Sequence, residues 1–198
     1  MTEKLEILKQ VHDGARKDFI MILSDECEEV LKGLFEENKP KRVLEIGTAI
    51  GYSSSIMALA SDCVIDTIEK DGERIEKAKR LWKYLGVEDR INCYHGDADE
   101  LLASVTEGKT YDFVFLDGAK SAYKRQLEFL EPYIEKGGII LCDDTLYLGL
   151  VKGEEKVPHK HRTIVNNMRK FLVYLEESGK FEYRLIEKAN GIAIARKR

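Results

Sequence analysis

Apolar positions along this chain follow two rhythms, and the alternation between them predicts most of its elements. Short runs rich in apolar residues, Arg42 to Ile46, Val64 to Ile68, Ile91 to His95, Tyr111 to Leu116 and Gly138 to Cys142, predict strands. Between them, apolar residues three and four apart predict helices over Ser53 to Ala60, Gly72 to Gly86, Ala98 to Glu107 and Tyr123 to Ile134. Residues 3 to 37 also read as helices, with Leu5, Ile7, Leu8 and Val11, then Val30, Leu31, Leu34 and Phe35, as their apolar positions. Asn38-Lys39-Pro40 ends that pattern. Strands alternating with helices predict a parallel, doubly wound α/β sheet. The C-terminal end departs from this order. A helix over Thr163 to Ser178 precedes two strand-like runs, Phe181 to Glu187 and Ile192 to Arg196, joined by Lys188-Ala189-Asn190-Gly191. Asn-Gly between such runs is a hairpin signal, so the mostly parallel sheet should close with an antiparallel hairpin strand. With no internal repeat or linker, residues 1–198 read as one domain. Residues 1–38 would be its N-terminal helices and 41–198 its sheet-bearing core.

Composition narrows the class of partner. The formal net charge is only −4, so no polyanion partner is announced by the chain as a whole. No apolar run is long enough to span a bilayer, and the opening residues are too polar for a signal peptide, which points to a cytoplasmic protein. Cys27, Cys63, Cys93 and Cys142 lie far apart with no CxxC pair. They read as reduced, mostly buried small residues and not as a zinc site.

The most informative stretch is Arg42 to Ser54, RVLEIGTAIGYSS. It predicts strand, glycine-bearing turn and helix, the corner at which α/β sheets bind nucleotide-like ligands. Glycine at the turn lets a ligand approach the backbone. Glu45 would repel a phosphate but welcome a cation, which favours the sulfonium and ammonium of S-adenosylmethionine (SAM) over NAD or ATP. The absence of GxGxxG also speaks against an NAD-dependent oxidoreductase. About 20 residues beyond such a turn an acid should grip the ribose hydroxyls. Glu69 fills that place, with Asp71 as fallback or helix cap. Asp97 can accept from an adenine amino group with Ala98 against the ring, or cap the helix starting near Ala98, or both. His95 reads as a partly buried, satisfied histidine.

Two further strand ends are acidic: Asp117, and the pair Asp143-Asp144. In a parallel sheet both tips lie on the edge where ligands bind. Two carboxylates about 4 Å apart repel by roughly 4 kcal/mol at an effective dielectric near 20, so a proton or a cation must sit among them. Oxygen ligands with room for water suit Mg²⁺. The bland alternative, an Asp-Asp turn or helix cap, stays open, as does a solvated Lys120 at a helix start.

Taken together, VLEIGTAIGYSS, IEKD, HGDA, YDFVFLDGAKSAY and ILCDDTLYLG resemble the metal-dependent class I O-methyltransferases of the catechol and caffeoyl-CoA type. The resemblance runs from about Met21 to the C-terminal hairpin and implies a Rossmann-like, SAM-dependent enzyme. It implies that Glu45, Gly47, Ser53, Glu69, Asp97, Ala98 and Asp117 line the cofactor pocket and that Met21 contacts the methionine part. It further implies that Asp117, Asp143 and Asp144 hold Mg²⁺ or another divalent cation, that Lys120 and Asp117 are catalytic, and that the protein is a homodimer. Asp144 stands where many relatives carry Asn, and Gly118-Ala119 lacks the bulk that walls a catechol pocket in some. Burial and the cation would lower the Lys120 pKa while Asp117 raises it, which leaves its resting charge open. Residues 152–170 carry Lys152, Lys156, His159, Lys160, His161, Arg162, Arg169 and Lys170. That segment resembles the bacterial branch methylating 5-hydroxyuridine in the tRNA anticodon loop, so a tRNA hydroxyl is the first expectation for the acceptor. A small catechol-like or hydroxycinnamoyl-like phenol is the alternative, and a non-catalytic SAM- or nucleotide-binding module is the alternative of another class.

Overall fold

The Ser24 hydroxyl accepts the amide of Cys27 at 3.1 Å and so starts helix α2, Asp25–Asn38. Asp25, Glu26 and Glu28 lie in its first turn, where the helix dipole favours negative charge. Lys39, at φ 47°, and Pro40 then stop it. The structure, a computed structural model, describes residues 2–17, 22–153 and 156–198. Helix α1 (Thr2–Lys17) precedes α2. Then follow β1 (Arg42–Ile46), α3 (Tyr52–Ala60), β2 (Val64–Glu69), α4 (Gly72–Leu85), β3 (Ile91–His95), α5 (Ala98–Thr106) and β4 (Tyr111–Leu116). The chain ends with α6 (Tyr123–Leu130), β5 (Ile134–Cys142), α7 (Arg162–Glu177), β6 (Phe181–Ile186) and β7 (Ile192–Lys197).

Seven strands form one sheet in the order β3-β2-β1-β4-β5-β7-β6. β2 pairs with β3, β1 with β4 and β4 with β5 in parallel, whereas β7 runs antiparallel to both β5 and β6. The expected doubly wound α/β sheet with an antiparallel C-terminal hairpin is the fold. No helix among the described residues is long and apolar enough to cross a membrane. Contacts divide the chain into two compact units, Met1–Lys41 with Thr48–Val105, and Arg42–Gly47 with Thr106–Arg198. In the first, Ile65, Ala78, Leu85 and Trp82 are buried together with Leu31 and Phe35. In the second, Val43, Leu44, Phe113 to Leu116 and Ile140 to Cys142 are wholly buried. Strands covered on both faces need apolar residues at every position, which explains runs without alternation.

Two boundaries differ from the sequence reading. Helix α6 stops at Leu130, a 3-10 turn covers Glu131–Tyr133, and β5 begins at Ile134 instead of Gly138. Pro132 has no amide hydrogen to continue the helix. Ile134 then pairs with Tyr111 while Ile139 pairs with Phe113, so residues 135–138 bulge out, with Gly137 at φ 80°. The hairpin turn falls on the four residues expected, Lys188 to Gly191. It closes through the Gly191 amide on the Lys188 carbonyl at 2.9 Å, with Ala189 and Asn190, both at positive φ, as central residues. Gly191 has a separate reason to be glycine: a Cβ there would lie 2.4 Å from Leu146 Cγ.

Glu131 fastens the hairpin strands to the end of α6. Its carboxylate lies 2.8 Å from Lys180 Nζ and 3.3 Å from Lys197 Nζ. The hydrogen bond from Lys180, with Lys197 adding to it against a small burial penalty, holds the Glu131 carboxyl below its usual range. A carboxyl with a depressed folded pKa stabilises the fold above its unfolded pKa and loses that contribution as pH falls through the folded value. Glu131→Gln is therefore expected to lower the urea midpoint at pH 7, with the deficit closing below about pH 4.5. A deficit that stays constant down to acid pH would show that the charge is not what stabilises.

Candidate active site

In the first unit the residues after β1 form a tight turn whose shape is set by buried polar contacts. The Thr48 hydroxyl meets the Thr67 hydroxyl at 2.6 Å, and the Gly51 amide bonds the Thr48 carbonyl at 2.9 Å. Gly51, at φ 79°, caps α3, and its carbonyl accepts the Trp82 indole N–H at 3.2 Å. A Cβ at position 51 would sit 2.7 Å from that indole nitrogen, so packing against α4 demands glycine there. Ala49 takes a left-handed φ of 46° and donates its amide to Glu69 Oε2 at 2.8 Å. Glu69 Oε1 accepts the amides of Lys70 and Asp71 at 2.9 and 3.0 Å. The carboxylate at the end of β2 is thus buried and accepts three N–H groups, one of which ties it to the turn, and is not a solvated strand end. Asp71 does different work: its Oδ1 accepts the amides of Glu73 and Arg74 as the N-cap of α4.

The remaining residues expected in this unit divide by exposure. Ser53 is buried in the first turn of α3. Asp97 is exposed; its side chain accepts the Asp99 amide at 2.9 Å and its carbonyl the amides of Glu100 and Leu101, so it caps α5, which opens at the half-buried Ala98. His95 is exposed, not partly buried, with Nε2 3.2 Å from the Lys70 carbonyl. A histidine ending an edge strand has too few neighbours to bury it. Met21 lies outside the described residues.

The second unit brings the acids together. Parallel register aligns Ile46 with Leu116 and Leu116 with Cys142, so the residues that follow, Asp117 and Asp143, emerge side by side. Their amides reach back to the Ile46 and Leu116 carbonyls at 2.9 and 3.2 Å. Glu45 is wholly buried in β1 opposite Phe115. Gly47 has φ 103°, and a Cβ there would stand 2.5 Å from the Asp117 carbonyl oxygen. That clash is a stronger reason for glycine than clearance for a ligand.

Lys120 sits among these carboxyls. Its Nζ is 2.8 Å from Asp117 Oδ1, 3.7 Å from Asp144 Oδ2 and 3.0 Å from the Tyr123 hydroxyl. Tyr123, which sequence reasoning did not single out, donates in turn to the Asp143 carbonyl at 3.1 Å. The signal was its place three residues beyond Lys120, one helical turn away. Asp144, at φ 56°, donates its amide to Asp143 Oδ1 at 2.9 Å. Burial opposes the charge on Lys120, but the carboxylate of Asp117, then Tyr123 and Asp144, hold its pKa well above the ordinary value, so it rests as an ammonium. Burial first, then the Asp117 charge, pushes Asp143 up to about 7. The Lys120 ammonium offsets part of the repulsion that the three carboxyls would otherwise suffer. Among the described residues, no group of three or more His, Cys, Asp or Glu side chains is disposed as a ready-made metal site. The donor set is nevertheless one of hard oxygens, with Lys120 standing between Asp117 and Asp144. Cys142 is buried beside this cluster with its thiol pushed up by burial, which makes it unreactive.

Much of the basic segment is engaged within the fold. Arg169 donates to the carbonyls of Val151, Leu150 and Gly153 at 2.8, 3.3 and 3.0 Å. Lys152 pairs with Glu187, Arg162 Nε bonds the Val157 carbonyl, and His161 Nδ1 meets the Tyr147 hydroxyl at 3.1 Å. Lys156, His159, Lys160 and Lys170 are exposed.

A family model described as O-methyltransferase matches residues 2–198. A caffeoyl-CoA O-methyltransferase of Populus kitakamiensis is 33% identical over 164 residues, 79% of this chain and 70% of the relative. A flavonoid 3',5'-methyltransferase of Vitis vinifera is 30% identical over 165 residues, again 79% of this chain and 70% of the relative. Among solved structures, a candidate caffeoyl-CoA O-methyltransferase from Staphylococcus aureus superimposes with a TM-score of 0.89 at 28% identity, covering 96% of this chain and 92% of that one.

The two acids after β2 are separable by experiment. Asp71→Ala should cost about 1 kcal/mol, the usual loss of an N-cap, and leave S-adenosylhomocysteine (SAH) affinity within about twofold. Glu69→Ala should weaken SAH binding at least about tenfold by calorimetry, because it frees the 49–51 turn as well as removing an acceptor. Equal SAH affinity in both variants would remove Glu69 from the cofactor site.

Proposed function

The chain belongs to the SAM-dependent O-methyltransferase family, and from that premise we propose that it methylates a hydroxyl of a small catechol-like or hydroxycinnamoyl-like phenol. The observation that carries the reading is the placement of Lys120 Nζ within 2.8 Å of Asp117 and 3.7 Å of Asp144, at the tips of β4 and β5. Phenol methylation needs the acceptor as its anion, close to positive charge. The Lys120 ammonium supplies such a charge in a buried setting, where one charged hydrogen bond is worth more than in water. Asp117, Asp143 and Asp144 are the residues that would hold Mg²⁺ or another divalent cation. Such an ion, when bound, lowers the pKa of a coordinated hydroxyl. Glu69 would grip the cofactor ribose, with Asp97 and Ala98 at the adenine. A non-catalytic binding module does not suit a chain of this family.

A tRNA acceptor has less behind it. The relatives above are named for caffeoyl-CoA and flavonoids, not for RNA. Arg169, expected to grip phosphates, is occupied with three loop carbonyls, and Lys152 is paired with Glu187, which leaves Lys156, His159, Lys160 and Lys170 as the exposed cations of the segment.

Labelled SAM, Mg²⁺ and purified protein should transfer label to caffeoyl-CoA or 3,4-dihydroxybenzoate and not to undermethylated bacterial tRNA. Label appearing in RNA alone would overturn the substrate class. EDTA should abolish transfer and added Mg²⁺ restore it; transfer indifferent to chelation would end the metal assignment. Lys120→Ala should keep SAH affinity within about threefold and lose at least about a hundredfold in kcat, the usual scale for a catalytic proton-handling or charge-stabilising group. Full turnover in that variant would remove the lysine from the reaction.

A further inference from the structure

We infer that Tyr123 is a positioning residue whose hydroxyl holds the Lys120 amine in place for methyl transfer, an inference that rests on the role proposed for Lys120. The ring is wholly buried and meets Phe171 edge-on, with centroids 5.5 Å apart at 76°. It belongs to the first turn of α6, so its hydroxyl is carried by rigid scaffold and not by a loop. A tyrosine hydroxyl has one proton to give. The Asp143 carbonyl, 3.1 Å away, can only accept, so it takes that proton. Toward Lys120 Nζ, 3.0 Å away, the same oxygen can then only accept.

That leaves Nζ with one neutral anchor besides its two carboxylates. The Lys120 stem has four rotatable bonds, and carboxylates alone would draw the amine wherever they moved. Asp117 and Asp144 belong to loops at strand tips, and Asp144 sits at a left-handed φ of 56°. The Tyr123 oxygen fixes the distance of Nζ from a point on the helix while the remaining N–H directions stay open to an acceptor. It also links the lysine to the Asp143 backbone, so that lysine and strand tip keep a common frame. A hydroxyl added only to satisfy a buried ring would have been met by the Asp143 carbonyl alone.

Tyr123→Phe keeps the ring and removes the link. Trace acetylation of the whole protein with acetic anhydride, read by peptide mass spectrometry, measures the accessibility and reactivity of Nζ without any acceptor. Lys120 labelling should rise about fivefold in the variant, on the scale of losing one hydrogen bond of about 1 kcal/mol. Lys197, similarly enclosed in the same unit at 18% side-chain exposure, should label as before. Unchanged Lys120 labelling, or a parallel rise at Lys197, would overturn the inference in favour of a purely structural tyrosine. A kinetic cycle adds a second reading. Tyr123→Phe should lower kcat about tenfold with the KM for SAM unchanged, yet have no effect in a Lys120→Ala background, since coupled residues are not additive. Additive losses would overturn the positioning role. Full activity of Lys120→Ala alone would instead count against the catalytic lysine on which it rests.

Discussion

Three carboxyl groups at the ends of two adjacent strands cannot share a buried site unless positive charge or protons join them, and here the Lys120 ammonium does so. The rest of the second unit is arranged around that requirement. β1, β4 and β5 run parallel and in register, so Asp117 and Asp143 leave the sheet at the same height. Gly47 gives the Asp117 backbone room that any side chain would take. The turn after Gly118-Ala119 returns Lys120 toward the acids, and its amine donates to the Tyr123 hydroxyl. A buried ion pair of this kind is weak evidence for stability, because desolvation offsets most of the attraction. Its retention in a fold that could bury apolar residues there points to chemistry.

In the first unit, the comparable constraint is the carboxylate of Glu69. Three backbone amides converge on it, and one belongs to Ala49, held in a left-handed conformation. Left-handed backbone at a non-glycine residue costs free energy and persists where surrounding contacts impose it. Gly51 is imposed from the other side by the Trp82 indole. Turn shape, strand end and helix α4 are therefore one mechanical unit, and a ligand gripped by Glu69 would be gripped through all three.

The basic residues of the segment after the acid pair divide between contacts within the fold and exposed positions. Lysines, arginines and histidines between 152 and 170 look like a phosphate-binding surface. In the fold, Arg169 instead closes the ends of three backbone carbonyls, and Lys152 meets Glu187 across the hairpin. Long cationic side chains serve equally well as caps for unsatisfied carbonyls, and composition does not distinguish the two uses.

Sequence alone determined the element order, the doubly wound sheet and its reversed hairpin, because these follow from periodicity, chain breakers and turn residues that act locally. It also singled out candidate residues: Glu69, Asp117, Asp143 and Asp144 stand at or just beyond strand ends, and strand ends are legible in apolar runs. Local rules could not place the start of β5, since the bulge at 135–138 depends on its pairing with β4. Tertiary structure showed what the two acids after β2 do: Glu69 accepts the Ala49 amide, whereas Asp71 caps α4. It alone showed that the Tyr123 hydroxyl meets both the Lys120 amine and the Asp143 carbonyl, contacts that a three-residue spacing permits but does not establish.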